Sequence, residues 1–380
     1  MSARTKFVVR TLDTQKSMSD LKTDDWWTEF GSYHDTYTIE IRPLTKCNYN
    51  CYYCTDNRIN SNPIINLNVP NINKMILSIK QHLKKKIKIY IVGGEPTLYP
   101  KLHHFVNELS KHLTEPDYIE IQTNLSKSIS WFEKFNMRIR RPEVVKISVS
   151  YHNTQETKLK RLLDKCLYLR QINMLGTVTV MYNMKKHTLY EYKILRKVLG
   201  VDACSLSYLV EPRTHLQSRG EGESPADILT EEVKYIAKNE NICELKELSP
   251  DYFADTISYK SSSGDWKKIS KFDLWLERKN DFSGHRCDIE VDCIFIDWNG
   301  DCYKCPNDQF SSVPPVMNIQ QDVFECDEYF KNLSSITCPY TWCCPFGISK
   351  HKKYRTQDTE TQLIPANRKY NTAAYKYIKP

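Results

Sequence analysis

Two periodicities alternate between Thr36 and Glu211. Short segments rich in β-branched residues predict strands, and longer segments with apolar residues at helical spacing predict helices. The predicted strands are Tyr37–Arg42, Ile87–Val92, Tyr118–Asn124, Val144–Tyr151, Thr177–Tyr182 and Ser205–Val210. The predicted helices are Ile72–Lys84 (capped by Asn71), Leu98–Leu113, Ser130–Met137, Thr154–Leu169 and His187–Leu199. This alternation indicates parallel strands with helical crossovers. We therefore expect an α/β fold, a partial (β/α)6 TIM-like barrel with its active site at the carboxyl ends of the strands.

The rest of the chain divides by composition into smaller segments. We predict an N-terminal lead-in over residues 1–35, the barrel over 36–211, a polar linker region over 212–285, a cysteine-rich extension over 286–350 and a basic tail over 351–380. A chain of 380 residues is long enough for one large domain and a smaller one.

Composition limits where such a chain acts. We see no signal peptide and no run near the ~20 apolar residues of a membrane span, so we expect a cytoplasmic protein without a membrane partner. In that reducing compartment, fourteen cysteines favour metal ligation over disulfides. The net charge of +8 is concentrated in residues 350–380, which hold eight Lys and Arg and two acidic residues. A basic tail can contact nucleic acid, but a solvated terminus is the interpretation we favour.

Three cysteines follow the first predicted strand at close spacing. Cys47, Cys51 and Cys54 lie within eight residues, so one short loop can wrap three thiolates around a metal centre. Three thiolates on a four-iron cluster leave one iron without a protein ligand, which is an open position for chemistry. The alternatives are a zinc knuckle and unrelated buried cysteines. Zinc requires a fourth ligand nearby, and no Cys or His follows before His82.

Polar and glycine-containing segments end the later strands. The second strand is followed by Gly93-Gly94-Glu95-Pro96-Thr97, and the third ends in Thr123-Asn124. The fourth strand carries Ser148 and Ser150 near its end. The carboxyl ends of parallel strands share one edge, so these segments are predicted to surround the cysteine loop.

The cysteine loop after the first strand, together with Gly-Gly-Glu-Pro after the second, resembles the radical S-adenosylmethionine (SAM) superfamily. The resemblance extends from about Thr36 to Glu211. It implies a [4Fe–4S] cluster held by Cys47, Cys51 and Cys54, with the amino and carboxylate groups of SAM on the open iron. One-electron cleavage of SAM then gives a 5′-deoxyadenosyl radical, which abstracts hydrogen from a substrate.

The resemblance also implies a set of cosubstrate contacts. These are Tyr53 beside the adenine, Gly93, Gly94 and Glu95 at the SAM ammonium, and the polar residues Thr123, Asn124, Ser148 and Ser150. Alternatively, Tyr53 only packs within the loop, and Asn124 and Ser148 are polar only because they lie at strand ends. Two positions depart from relatives, since Leu125 replaces a usual Gly and Ser150 replaces a frequent Asp.

A second group of cysteines lies in residues 286–350. Cys287 and Cys305 flank a predicted hairpin at Asn299-Gly300, and Cys338, Cys343 and Cys344 follow. This resembles the SPASM/twitch extension of radical SAM enzymes, although Ser335 and Ile348 replace two cysteines of the full pattern. We expect one auxiliary [4Fe–4S] cluster held by Cys287, Cys305, Cys338 and either Cys343 or Cys344. Two alternatives are kept: a pair of auxiliary clusters, or a structural zinc ion on Cys302, Cys305, Cys338 and Cys343.

The resemblance implies the type of reaction but not the substrate. A ribosomally made peptide or protein is the leading hypothesis, because the SPASM/twitch extension accompanies peptide maturases. The alternatives are a small molecule or nucleotide, and an RNA. We expect an electron donor of the flavodoxin or ferredoxin type. Acid–base catalytic residues are not identified; His152 and Glu211 are candidates for substrate contact, and Cys204 is a candidate hydrogen donor or a core residue.

Overall fold

The computed structural model describes residues 35–51, 64–153, 158–182, 186–208, 256–260, 266–270, 285–306, 308, 313–338 and 352–355. Its centre is a parallel sheet of six strands that pair in chain order. These are β1 Thr36–Ile41, β2 Lys86–Ile91, β3 Tyr118–Thr123, β4 Val145–Tyr151, β5 Leu175–Tyr182 and β6 Cys204–Tyr208. Among the described strands the sheet does not close, because β6 lies at one edge. The expected α/β fold with a partial barrel is confirmed.

Five helices connect these strands. They are α1 Val69–Leu83, α2 Leu102–Leu109, α3 Ile129–Arg138, α4 Leu159–Gln171 and α5 Lys186–Leu199. The prediction for α2 was too long, since Pro96–Leu98 and Ser110–His112 form separate 3-10 turns.

The predicted cap of α1 was wrong. The helix begins earlier, and the side chain of Asn68 accepts a hydrogen bond from the Asn71 backbone N–H. Pro70 fits the first turn of the helix, where a missing N–H costs nothing. Asn71 is instead a buried tertiary contact, whose side-chain amide donates to the carbonyl oxygens of Ile319 at 2.8 Å and Gln321 at 2.9 Å.

The two faces of the sheet differ in polarity. Alternate residues such as Tyr37, Ile39 and Ile41 of β1 are fully buried in the hydrophobic core with the helices. The opposite face, here called the polar face, carries Glu40, Lys88, Tyr90, Glu120, Gln122, Ser150, Thr179 and Ser205. Since neighbouring strands are in parallel register, these side chains form rows across the sheet.

C-terminal strands extend the sheet beyond β1. After β9 (His285–Cys287) and the short α6 (Ile289–Asp292), β10 (Cys293–Ile296) pairs in parallel with β1. The predicted hairpin is confirmed: Gly300 has a φ of +88°, and β11 (Asp301–Tyr303) returns antiparallel to β10. β12 (Met317–Asn318) forms the outer edge, and α7 (Asp327–Lys331) follows.

Two smaller sheets complete the described structure. β7 (Thr256–Lys260) and β8 (Trp266–Ser270) form an antiparallel pair within the predicted linker region. β13 (Ile336–Thr337) and β14 (Lys352–Arg355) lie on either side of β9. In the described parts of the chain, the helices are all too short or too polar to cross a membrane.

Candidate active site

The cysteine loop leaves the carboxyl end of β1, as predicted. Arg42 N donates to Ile296 O at 2.9 Å, and Val92 N donates to Ile41 O at 2.9 Å, so the start of the loop is held between β10 and β2. Cys47 is partly exposed and Cys51 is buried. The other two predicted residues of this loop, Tyr53 and Cys54, lie outside the described residues.

The turn after β2 lies directly against the residues that lead into this loop. Gly94 N donates to Leu44 O at 3.0 Å, and Glu95 N donates to Lys46 O at 2.9 Å. A Cβ atom on Gly93 would lie 2.5 Å from Leu44 O, and Gly93 has a φ of +113°. The cysteine loop itself therefore requires these glycines. The sequence predicts that these glycines contact the ammonium group of SAM. An ammonium group donates hydrogen bonds, and the N–H groups of Gly94 and Glu95 are already used, so the contact would have to use carbonyl oxygens of the turn.

Glu95 joins the turn after β2 to the end of β3. Its carboxylate is 1% exposed. Oε1 accepts hydrogen bonds from Thr97 N at 3.0 Å, Thr97 Oγ1 at 2.6 Å and Thr123 Oγ1 at 2.6 Å, while Oε2 accepts one from Asn124 N at 2.7 Å. A buried carboxylate is stable only with such partners. Three predicted site residues therefore lie together, since the carboxylate of Glu95 binds both Thr123 and Asn124.

Asn124 connects this cluster to the first cysteine. Its Nδ2 lies 3.7 Å from Cys47 Sγ and 3.0 Å from Asn48 Oδ1. Tyr49 N also donates to Cys47 Sγ, at 3.4 Å. Burial raises the pKa of the Cys47 thiol, and the hydrogen bond from the Tyr49 backbone opposes that rise. Donors aimed at a cysteine sulfur stabilise a thiolate, which is the form that binds iron. The described part of the loop therefore fits an iron–sulfur cluster.

Comparison with known proteins assigns this region to a family. A family model described as the Radical SAM superfamily matches residues 41–191. The chain carries a radical SAM domain. The match begins at the last residue of β1 and ends within α5, so it includes the cysteine loop and the strand ends described above. The superfamily implies SAM and a [4Fe–4S] cluster as the cofactors of this domain.

Solved structures of similar fold have low sequence identity to this chain. SuiB of Streptococcus suis bound to the precursor peptide SuiA is 14% identical, with a TM-score of 0.47 over 78% of this chain and 67% of that one. anSMEcpe with AdoMet and the Kp18Cys peptide is 15% identical, with a TM-score of 0.47 over 90% and 95%. BtrN with AdoMet and 2-DOIA is 12% identical, with a TM-score of 0.37 over 76% and 79%.

No curated protein sequence matches this chain. The structural similarities are too weak to transfer a substrate or a partner to this chain.

The turn after β3 in the radical SAM domain contains Leu125 in place of the usual Gly. Leu125 has a φ of +54°, in the left-handed region that Gly adopts freely. For other residues this conformation costs about 1–2 kcal/mol. Full burial of the Leu125 side chain offsets the cost, as does a hydrogen bond from Lys165 Nζ to Leu125 O at 2.7 Å. The Leu substitution thus leaves a left-handed turn at this position.

Ser148 and Ser150 make hydrogen bonds within the sheet of the radical SAM domain. Ser148 Oγ donates to Glu120 Oε1 at 2.6 Å and accepts from Thr177 N at 3.1 Å. Ser150 Oγ accepts from Gln122 Nε2 at 2.7 Å. Ser148 sits where the pairing of β4 with β5 is irregular, so its hydroxyl satisfies an N–H that the irregularity leaves unpaired. Their predicted contact with SAM stays a prediction.

His152 follows β4 and packs against the cysteine loop of the radical SAM domain. Its ring meets that of Tyr49 edge to face, with 6.1 Å between centroids. Burial lowers the pKa of His152 to about 4, so the ring is neutral at physiological pH. The other candidate for substrate contact, Glu211, lies outside the described residues, and Cys204 is buried in the core.

Several residues near the site were not predicted. Asn48 and Tyr49 lie inside the cysteine motif, so their position in the sequence was an available signal. Lys165 lies on α4, and Ser126 follows the turn after β3; no local pattern distinguishes either residue from its neighbours.

The second group of cysteines is divided between two environments. Cys302 is in the hydrophobic core, where its thiol donates to Gly300 O at 3.6 Å and burial raises its pKa. Cys326 is in the same core. This position among apolar side chains disfavours Cys302 as a zinc ligand, and the alternative zinc set stays a prediction.

Cys287 is the last residue of β9, and Cys338 directly follows β13 in the same small sheet. Cys287 pairs with Ile336 in antiparallel register, and Cys338 is two residues beyond Ile336. The antiparallel pairing of β9 with β13 therefore brings the backbones of the two cysteines to the same part of this sheet. Cys305 is also buried, and Cys343 and Cys344 lie outside the described residues. In the ranges that the structure describes, no three His, Cys, Asp or Glu side chains are grouped closely enough to hold a metal ion.

Proposed function

We propose that Cys47, Cys51 and Cys54 hold the [4Fe–4S] cluster and that the enzyme abstracts hydrogen from a ribosomally made peptide or protein. The observation that carries this proposal is the pair of donors on Cys47 Sγ, from Tyr49 N at 3.4 Å and Asn124 Nδ2 at 3.7 Å. Held by these cysteines, the cluster would supply the single electron that cleaves SAM into methionine and a 5′-deoxyadenosyl radical, and that radical would take a hydrogen atom from the substrate. A flavodoxin- or ferredoxin-type protein is the proposed source of the electron.

The residues of this chain have distinct roles in that proposal. Gly93 and Gly94 would present carbonyl oxygens to the SAM ammonium, while the N–H groups of Gly94 and Glu95 hold the residues that lead into the cysteine loop. Glu95 fixes Thr123 and Asn124 in place through its buried carboxylate. The further contacts proposed for SAM are Tyr53 at the adenine and Ser148 and Ser150 on β4.

The polar face of the sheet supports a polar substrate. Tyr90 OH donates to Gln122 Oε1 at 3.0 Å, and Thr179 and Ser205 hydroxyls lie 2.9 Å apart. Lys88 and Glu120 form an ion pair at 2.6 Å, so the charges on this part of the face are balanced. A peptide backbone, with many amides and no net charge, suits such a surface.

An auxiliary [4Fe–4S] cluster is also proposed, held by Cys287, Cys305, Cys338 and either Cys343 or Cys344. Support comes from the pairing of β9 with β13, which brings Cys287 near Cys338, and from the position of Cys302 among apolar side chains, which disfavours the alternative zinc set. Measurement of iron per chain tests this. Replacement of Cys287 and Cys338 by Ala should lower the iron content by about four atoms, and an unchanged content would exclude the auxiliary cluster.

Mass spectrometry of cells with and without this protein tests the peptide substrate. We expect a peptide whose mass changes only when the wild-type protein is present, and the change should be lost in Cys51→Ala. A change confined to nucleosides or other small molecules would instead support the small-molecule alternative. A modified RNA would support the alternative of an RNA substrate.

A further inference from the structure

We propose that Asn124 is a positioning residue that fixes and tunes the Cys47 thiolate in the cluster. This inference rests on the proposed function, since it concerns the ligand set proposed above. Its basis is a contact between two residues that lie 77 positions apart and on different strand ends.

The orientation of the Asn124 amide is determined by its neighbours. Its Oδ1 accepts a hydrogen bond from Ser126 N at 3.0 Å, an N–H that can only donate. The Nδ2 group must therefore face the opposite way, where Cys47 Sγ and Asn48 Oδ1 lie. Both of these atoms are acceptors, so an amide flip would break three hydrogen bonds.

The backbone of Asn124 is fixed as well. Glu95 Oε2 holds its N–H at 2.7 Å, and Glu95 is itself buried and anchored by Thr97. On the other side, the left-handed Leu125 sets the turn, with Lys165 donating to its carbonyl oxygen. Asn124 is 7% exposed, so water does not readily replace its amide at the sulfur.

A fixed donor at a cluster sulfur has a defined electrical effect. Reduction adds a negative charge to the cluster, and a hydrogen bond to a ligand sulfur stabilises that charge. Loss of the Asn124 donor should thus make the cluster harder to reduce without removing any ligand. A residue that only supported the fold would leave the reduction potential unchanged.

Two variants test the proposal. Asn124→Asp keeps the acceptor for Ser126 N but presents a carboxylate to the sulfur, while Asn124→Ser can retain that acceptor but is too short to reach the sulfur. Asn107→Asp is the matched control. Asn107 Nδ2 donates to Arg138 O at 2.8 Å, and its Oδ1 accepts from Arg140 N at 2.8 Å, so the same change is made in a structural amide on α2.

The readout is the ratio of reduced to oxidised cluster at a fixed solution potential, measured by electron paramagnetic resonance at equal iron content. We expect the ratio to fall roughly threefold or more in both Asn124 variants, and not in Asn107→Asp. Equal ratios in wild type and the Asn124 variants would overturn the proposal.

Metal-free protein separates this inference from the proposed function. If the wild type binds no iron, the cluster assignment fails, but the contact between Asn124 and Cys47 can still be measured. We then expect alkylation of Cys47, followed by peptide mass spectrometry, to be roughly threefold slower in Asn124→Asp than in Asn107→Asp, because a carboxylate disfavours the thiolate. Equal rates would overturn the proposal in that case.

Discussion

Gly94 lies so close to Lys46 that a Cβ atom on Gly94 would be 2.1 Å from the Lys46 carbonyl oxygen. Such an approach is closer than any van der Waals contact, so one of the two backbones would have to move. Lys46 directly precedes Cys47. The turn after β2 and the cysteine loop are therefore one packed unit, and a change in one should be detected in the other.

Gly94→Ala should displace the cysteine loop. Overpacking against a backbone atom costs about 1–3 kcal/mol, and here it should also lower the iron bound per chain. Denaturant unfolding and iron analysis measure the two effects. Gly200→Ala is the control, because Gly200 has a φ of +87° but nothing lies within 4 Å of its Cβ position. That variant should lose about 1 kcal/mol and keep its iron. Full iron content in Gly94→Ala would contradict the packed unit.

Glu95→Gln should destabilise the fold through mismatched hydrogen bonds. The new side-chain NH₂ group would face donors from Thr97, Thr123 or the Asn124 backbone. Leaving a buried polar group without a partner costs about 1–3 kcal/mol. Glu143→Gln serves as control, since Glu143 is exposed and its pair with Arg141 contributes roughly 0–1 kcal/mol. Urea unfolding of the two variants should differ accordingly, and equal midpoints would show that the carboxylate is unimportant.

Ser148 and Gly176 should show a strong non-additive effect. A Cβ atom on Gly176 would lie 2.4 Å from Ser148 Oγ, while its next neighbour, Ile147 O, is at 3.3 Å. Gly176→Ala alone should be destabilised by about 1–3 kcal/mol. Ser148→Ala removes the clashing atom, so the double variant should be more stable than Gly176→Ala. The four unfolding free energies form a double-mutant cycle, and additivity within about 0.5 kcal/mol would refute the steric argument.

His152 should make the fold sensitive to acid. Its pKa is about 4 in the folded chain against an ordinary value of 6.5, so the unfolded chain binds more protons between these values. Stability contributed by neutral His152 is complete above pH 6.5 and is lost as the pH falls towards 4, by up to about 3 kcal/mol. His152→Phe should remove this part of the pH dependence. Unfolding free energies at pH 7 and pH 5 provide the test, and parallel pH profiles would contradict it.

The local pattern of apolar and polar residues was sufficient to predict the strands and most of the helices. The alternation of Tyr37, Ile39 and Ile41 with polar neighbours identifies both the strand and its buried face. Asn71 shows where this reasoning stops. Its residue type suits a helix cap, but its partners Ile319 and Gln321 lie about 250 positions away and carry no mark in the sequence.

The candidate site was predictable to a similar extent. The cysteine loop and the glycine turn were predicted to follow β1 and β2, and they do. The hydrogen bonds of Ser148 depend on irregular pairing with β5, which sequence does not reveal. Leu125 adopts a conformation that its residue type disfavours, so only the burial and the Lys165 contact explain it.

The cysteine loop is proposed to bind a cluster that cleaves SAM. Anaerobically reduced protein incubated with SAM should form 5′-deoxyadenosine, detected by liquid chromatography and mass spectrometry. Cys47→Ala, Cys51→Ala and Cys54→Ala should each abolish the product, whereas Cys166→Ala, at a buried cysteine on α4, should retain it. Absence of 5′-deoxyadenosine from the reduced, iron-loaded wild type, or its full formation by the Cys51→Ala variant, would contradict the account.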